Sequence, residues 1–346
     1  MLTKLYDAVV AIGRFQPPHR SHLALIEKAI AQARGHVIVC IGSANQPRTV
    51  KNPFTFNERA DLIRASLPPA EAAKLVFVPL EDNIYNDQVW VAAAQQAVAR
   101  ITQSKQIGII GHLKDSSSYY LKMFPQWEFI DFGYLNSLHA TEIRELYFKP
   151  DATLDYLSGV VPPPVLDFLR DFKETEHYQQ ICREKAFIAK YKQQFAQMAY
   201  PPVFVTTDAV VIQSGHVLLI RRRAEPGKGL LAFPGGFLDA IQDKCIEDGM
   251  VRELQEETGI KVPDKVLRGN IKASKVFDAV DRSARGRTIT HAFKIVLSED
   301  GAGLPKLRAG SDAAKAEWLP LGTLQRAMFF EDHWDILQYF LGNWGV

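Results

Sequence analysis

Short, fully apolar runs alternate with helix-periodic stretches over the first half of the chain. Ala8-Val9-Val10-Ala11-Ile12 has no polar position, which predicts a parallel strand buried on both faces and closed by Gly13. Leu23, Ile26, Ile30 and Ala33 recur at helical spacing over residues 22–34, with Gly35 placed as a C-cap. Further strands are predicted at His36–Ile41, Leu75–Leu80, Ile107–Gly111 and Phe129–Gly133. A helix capped by Asn57 carries Ala60, Leu62, Ile63 and Leu67, and another covers residues 87–102. Such alternation implies an α/β domain with a parallel, Rossmann-like sheet covered on both faces, binding ligands at the C-terminal ends of its strands.

The texture changes near residue 160. Val161-Pro162-Pro163-Pro164 interrupts regular structure, a long polar helical pattern fills residues 165–198, and Tyr200-Pro201-Pro202 ends it. Beyond lie strand patterns at Val203–Thr207, Ala209–Ile212, Val217–Ile220 and Ile289–Val296, with helices only over residues 246–258 and in the last twenty or so. The expected division is a first domain over residues 1–160, a helical connector over 161–200 and an α+β domain over 201–346.

Composition narrows the class. The 346 residues are 47% hydrophobic and 23% charged, as in globular proteins, and 41 basic against 39 acidic side chains leave a net charge of +2. That balance excludes nucleic-acid binding by bulk charge and leaves anions to local basic clusters. Cys40, Cys182 and Cys245 are odd in number and far apart, which speaks against a disulfide framework or a zinc site. With no apolar run near the ~20 residues of a membrane span and no leader pattern, the expected setting is cytoplasmic. The sequence leaves open a homo-oligomer.

Candidate chemistry sits first at Gly13-Arg14-Phe15-Gln16-Pro17-Pro18-His19-Arg20-Ser21-His22, between the first strand and the first helix. Cationic side chains at a helix N-terminus suit phosphate, and Gly13, lacking a Cβ, admits a nucleotide close to the backbone. His19 and His22 share a helix face and can address one anion together. The same residues equally describe a polar loop with two solvated histidines.

This stretch resembles the first signature of the nucleotidyltransferase superfamily, with Ser21 in place of its usual glycine; His139-Ala140-Thr141-Glu142-Ile143-Arg144 resembles the second. Asn52-Pro53-Phe54-Thr55 with Glu58-Arg59, Tyr85-Asn86-Asp87 with Trp90, and Gly111-His112 with Lys114-Asp115 are similar to nicotinamide mononucleotide (NMN) adenylyltransferases of archaeal type. The resemblance implies attack of the NMN phosphate on the α-phosphate of ATP, giving NAD and pyrophosphate with no protein nucleophile. It implies that Arg14, His19, His22 and Arg144 hold phosphates, with Gly13, Phe15, Gly111, Lys114 and Thr141 lining the nucleotide site. Trp90 would stack on the nicotinamide ring, or pack as an ordinary helix residue, and Asp87 would accept from the carboxamide.

The second candidate is Arg252-Glu253-Leu254-Gln255-Glu256-Glu257-Thr258-Gly259-Ile260. At helical spacing Glu253, Glu256 and Glu257 fall within an arc of about 100°. Carboxylates so crowded repel one another unless a divalent cation such as Mg²⁺ joins them; a solvated acidic helix face has the same spacing. From Arg252 onward the stretch resembles the Nudix box, G-x5-E-x7-R-E-U-x-E-E-x-G-U with U a bulky aliphatic residue. Upstream, Gly235-Gly236-Phe237-Leu238 is present, but the spacing is two residues longer and the isolated glutamate of the box falls on Lys244, beside Asp243.

Asp281-Arg282-Ser283 with Arg285, Gly286, Arg287 and His291 resembles the ADP-ribose-hydrolysing branch of Nudix enzymes. It implies Mg²⁺-dependent hydrolysis to AMP and ribose 5-phosphate, with Mn²⁺ or another divalent cation as substitute. Arg222, Gly236, Arg282, Arg285 and Arg287 are then candidate substrate contacts, and Glu317, Glu331 and Asp332 candidate bases. Together the halves are similar to bifunctional NMN adenylyltransferase/Nudix hydrolases, whose small-molecule partners are ATP, NMN, NAD and ADP-ribose. The rivals are a Nudix-like domain that senses ADP-ribose without cleaving it, and adenylyl transfer to another phosphorylated acceptor such as phosphopantetheine.

Overall fold

The computed structural model describes residues 6–112, 116–133, 139–149, 153–299, 303–310 and 313–342. The chain divides into two compact units, one reaching Arg183 and one beginning at Glu184.

In the first unit the elements run β1 (Tyr6–Gly13), α1 (Arg20–Gln32), β2 (Ala33–Ile41), α2 (Phe56–Ala65), α3 (Pro69–Ala72), β3 (Leu75–Pro79), α4 (Asp87–Ala99), β4 (Ile107–Gly111), β5 (Glu128–Asp131), α5 (Ala140–Tyr147), α6 (Pro163–Lys173) and α7 (Glu176–Gln193). The five strands form a parallel sheet in the order β3-β2-β1-β4-β5. Two apolar layers explain why its central strands read as unbroken hydrophobic runs. Val9, Ala11, Val37 and Val39 face Leu23, Ile26 and Ile63, while Val10, Ile38 and Ile109 face Val91, Ala94 and Phe124. The strand order reverses between β1 and β4, so Gly13 and Gly111 close the two strands at the switch point where such sheets bind ligands.

Two expected helix boundaries differ. Gly35 is no helix cap: α1 ends at Gln32, and Gly35 lies inside β2, where a Cβ would stand 2.7 Å from the Asp7 carbonyl oxygen. Close strand approach, not helix termination, requires glycine there. Asn57 lies within α2, which Thr55 caps: the Thr55 hydroxyl accepts from the Glu58 amide at 3.3 Å and the Glu58 carboxylate from the Thr55 amide at 2.7 Å. The polar helical stretch after residue 160 is two helices, broken at Glu174-Thr175. Val165, Leu169, Phe172, Tyr178 and Ile181 join Phe54, Ile143 and Tyr147 in one apolar cluster, which ties this stretch as far as Arg183 to the first unit.

The second unit is built on a seven-stranded mixed sheet of β6 (Phe204–Gln213), β7 (His216–Arg222), β8 (Leu231–Ala232), β9 (Gly235–Phe237), β10 (Ile271–Phe277), β11 (Thr288–Val296) and β12 (Ala313–Pro320). Its main order is β10-β11-β6-β7-β12, with β8 beside β7 and β9 beside β6; only β6 and β11 run parallel. Val203–Thr207 and Ala209–Ile212 thus belong to a single strand. The edge strands β10 and β12 escaped the sequence pattern because Lys272, Lys275 and Lys315 break their apolar runs, as edge strands require. Helix α8 (Ile246–Thr258) lays Met250, Val251 and Leu254 on Ala209, Val211, Leu218 and Phe293. It ends as expected at Gly259, whose φ of 55° is left-handed. Helices α9 (Asp264–Gly269) and α10 (His333–Leu341) complete the α/β layering. Among the described residues no helix is long and apolar enough to cross a membrane.

Thr55→Ala removes one half of the reciprocal cap and should cost the first unit about 1 kcal/mol, read as a lower urea midpoint at unchanged slope. An unchanged midpoint would show that the cap adds nothing to α2.

Candidate active sites

β1 delivers the chain into a loop that turns back as α1. His19 caps α1 and His22 lies in its first turn, so their rings stack at 3.7 Å between centroids. Phe15, with φ at 51°, swings its ring beneath them and meets His22 edge-on at 4.9 Å. Both Nδ1 atoms of the histidine pair are buried without a hydrogen-bond partner. Burial, reinforced by the charge of His139, pulls His19 down to about 4; burial with His19 and His139 pulls His22 well below its ordinary range. The pair is therefore neutral at pH 7 and lacks a polar partner, a state that a bound anion or its proton relieves.

Arg144 reaches the same loop from α5, donating to the Gln16 carbonyl at 2.7 Å and the Thr141 hydroxyl at 3.3 Å. Burial and the neighbouring Arg14 lower its guanidinium to about 10. Arg59, 1% exposed, stood in the sequence only as part of the Glu58-Arg59 motif, with no role assigned. It donates to the carbonyls of Arg14 at 2.6 Å, Gly42 at 2.7 Å, Thr55 at 3.1 Å and Ser43 at 3.3 Å, bracing the loop from below. Its place on the apolar face of α2, beside Ala60 and one turn from Ile63, was the available signal.

Several expected contacts take other places. A Cβ on Gly13 would stand 2.9 Å from the Phe15 ring, so this glycine admits a phenylalanine rather than a nucleotide, and Phe15 itself is core. At Gly111 a Cβ would meet Leu121 at 2.6 Å, for the same reason. Trp90 is half-buried against Tyr120 and Phe124, and Asp87 accepts from the Tyr119 hydroxyl at 3.2 Å. Arg14 and Thr141 are exposed at the loop. Lys114 lies outside the described residues.

In the second unit Arg252 organises the carboxylates of α8. Its Nη1 donates to Glu253 at 2.8 Å and Glu256 at 3.2 Å; its Nε and Nη2 grip both oxygens of Asp243, at 2.9 and 2.8 Å. Asp243 therefore supplies the carboxylate whose place in the sequence falls on Lys244. The Asp239 amide donates to the Asp243 carboxylate at 2.7 Å, and Gly249 in α8 leaves room, since a Cβ there would stand 2.8 Å from Asp243. Gly236 does the same for Glu253, whose carboxylate lies 2.6 Å from the space a Cβ would fill. Burial, with the like charges of Glu256 and Asp243, raises the Glu253 carboxyl despite Arg252. Glu257, buried, accepts from the Gly235 amide at 2.9 Å.

Among the described residues no three His, Cys, Asp or Glu side chains converge as a finished metal cage. One nitrogen of Arg252, Nη1, bridges one oxygen each of Glu253 and Glu256. The donor chemistry nonetheless fits a hard divalent cation: repelling carboxylates, partly desolvated, each of those two with a second oxygen not held by Arg252.

Of the expected basic contacts, Arg222 stacks 3.9 Å over the Phe330 ring and Arg285 lies between Phe237 at 5.4 Å and Phe330 at 6.0 Å. The two guanidiniums repel, and Arg222 also feels the charge of Glu257. Arg282 is different. It is locked in a buried bidentate pair with Asp332, at 2.9 and 2.8 Å, which removes both from the list of reacting groups. Arg287 donates to the Asp278 carbonyl at 2.7 Å and staples its own loop. Sequence reasoning missed Asp208, raised to about 6 chiefly by burial, and Glu184, raised to about 7 by burial with Glu225 and Glu331. Buried acids inside helix or strand patterns carry no sequence mark.

Fold and sites define a protein with a nucleotidyltransferase-type unit and a Nudix-type unit: residues 10–145 match the cytidylyltransferase-like family and residues 203–340 the NUDIX domain. The chain is 40% identical over 178 residues to a nicotinamide/nicotinic acid mononucleotide adenylyltransferase of Acinetobacter baylyi, covering 51% of this chain and 92% of that protein. It is 35% identical over 137 residues to an ADP-ribose pyrophosphatase of Methanocaldococcus jannaschii, covering 40% and 72%. A crystal structure of a bifunctional NMN adenylyltransferase/ADP-ribose pyrophosphatase from Francisella tularensis, complexed with AMP and a manganese ion, matches 98% of this chain and 100% of its own at a TM-score of 0.88 and 34% identity. The chain belongs to this bifunctional family.

Two outcomes follow from the geometry. Asp243→Ala should cost the second unit about 1.5–3 kcal/mol by orphaning Arg252, against less than about 0.5 kcal/mol for Lys244→Ala, measured by denaturant unfolding. Equal losses would return the structural role to Lys244. The histidine pair gives a pH dependence. The unfolded chain takes up protons near 6.5 and folded His19 only near 4, so stability of the first unit should fall as pH drops through that window. His19→Gln should flatten the slope; an unaltered slope would contradict the buried neutral pair.

Proposed function

We propose that the first unit transfers the adenylyl group of ATP to NMN, giving NAD and pyrophosphate, and that the second hydrolyses ADP-ribose to AMP and ribose 5-phosphate. The observation that carries this reading is the similarity to the bifunctional F. tularensis enzyme over 98% of the chain, with a separate charged site in each unit.

In the first unit the reaction needs two anions brought into line and the charge on the bridging oxygens balanced, not a protein nucleophile. His19 and His22 offer buried nitrogens with no other partner, while Arg144 and Arg14 add cationic donors around the loop that Arg59 braces. The exposed part of Trp90 offers the nicotinamide ring an aromatic surface, and Asp87 beside it accepts from the carboxamide. Because its imidazoles are neutral when empty, the site gains a proton or a hydrogen bond as the phosphates arrive.

In the second unit Arg222 and Arg285, stacked on Phe330 and Phe237, hold the diphosphate. Glu253, Glu256 and Glu257 would hold the divalent cation, Mg²⁺ as we read it. When bound, the cation acidifies the attacking water and neutralises charge on the phosphates. Arg252 bridges Glu253 and Glu256 and offsets their repulsion, and Gly236 and Gly235 fix where two of the carboxylates stand.

Two assays of the purified full chain test the reading, one with NMN and ATP and one with ADP-ribose and Mg²⁺. His19→Ala should lower NAD formation at least about 100-fold and spare ADP-ribose cleavage, with Glu257→Gln doing the reverse. A substitution that removed both activities would contradict two independent sites.

A further inference from the structure

The sequence nominated three acidic side chains outside α8 as acceptors of a proton from water, Glu317, Glu331 and Asp332, and their surroundings differ. Asp332 is buried under the Arg282 fork. Glu317 on β12 is held by Arg221 at 3.1 Å and Lys315 at 2.6 Å. Glu331 has neither constraint. It stands in the turn before α10 with φ at 45°, a left-handed conformation that side chains other than glycine rarely adopt. That turn directs its carboxylate against the loop before β11, where one oxygen accepts from the Ala284 amide at 3.2 Å.

The charged groups facing Glu331 come from several elements. Arg282 and Arg285 face it from the loop before β11, together with the Ser283 hydroxyl, and Asp332 from its own turn. Arg222 faces it from β7 and Glu184 from α7, with Glu225 beyond. Arg222 feels the charge of both Glu331 and Glu257, so one guanidinium is shared electrostatically by Glu331 and a carboxylate of α8.

We propose that Glu331 is the catalytic base of the hydrolysis, taking a proton from the water that attacks the diphosphate; this rests on the ADP-ribose pyrophosphatase reading above. A water O–H bond breaks as its proton passes to the Glu331 carboxylate. The water oxygen forms a bond to phosphorus, and the bridging P–O bond breaks with its electron pair going to the departing phosphate. AMP and ribose 5-phosphate result, and Glu331 then returns the proton to solvent. Burial raises the Glu331 carboxyl against the lowering effect of Arg285, the direction expected of a base working near neutrality.

The test uses the full chain with Mg²⁺ and ADP-ribose, comparing wild type, Glu331→Gln and Glu331→Asp for kcat, KM and pH profile, with the thermal unfolding midpoint of the second unit as the check on folding. Glu331→Gln should lower kcat about 100- to 1,000-fold with KM within about threefold. It should also abolish the fall in kcat on the acid side, while Glu331→Asp recovers part of the rate. Retention of kcat within about threefold, a change confined to KM, or an unaltered acid limb would overturn the assignment alone. A wild type that leaves ADP-ribose intact would overturn the functional reading and the assignment with it. A second-unit unfolding midpoint lowered in both variants together with kcat would overturn it in favour of a structural role.

Discussion

The holding of polar and charged groups without their final partner is the constraint on which both sites depend. In the first unit it takes the form of two stacked imidazoles whose inner nitrogens have no hydrogen-bond partner, set among Arg14 and Arg144. In the second it is a row of glutamates bridged by one arginine. Such arrangements disfavour the empty site, and they persist because rigid elements on every side over-determine them. Ligand binding then recovers free energy that folding left unrealised.

The scaffolds supply that rigidity differently. The parallel sheet of the first unit is apolar on both faces, so polar function is confined to its strand ends, and Arg59 ties four backbone carbonyls into one platform there. The second unit places its carboxylates on a helix whose other face is core. The short strand β9 passes beneath it, and Gly235 and Gly236 bring backbone and carboxylate into direct contact. Glycine recurs where a side chain must come close, which is why Gly13, Gly111 and Gly249 each face a neighbour's side chain and not a ligand.

Much of this was legible in the sequence. Uninterrupted apolar runs marked the central strands, and the ordered motifs marked both sites, because strand-end loops and helix faces store chemistry locally. What sequence could not show was pairing at a distance. Arg282 read as a substrate contact, whereas Asp332, fifty residues away, closes on it. Lys244 occupied the glutamate's place by counting, whereas it is Asp243 that pairs with Arg252. The cap at Thr55 was available as Thr-x-x-Glu and was displaced by an asparagine two residues on. Edge strands remained hidden because lysines break their pattern.

The central claim is that the buried imidazole pair is kept without a partner until a nucleotide's phosphates arrive. Nitrogen-15 NMR of the histidine rings during titration with a non-hydrolysable ATP analogue tests it most directly. The account predicts that the ring nitrogens of His19 and His22 shift strongly with the ATP analogue and remain unmoved by ADP-ribose. Resonances indifferent to the ATP analogue, or displaced equally by both compounds, would contradict it.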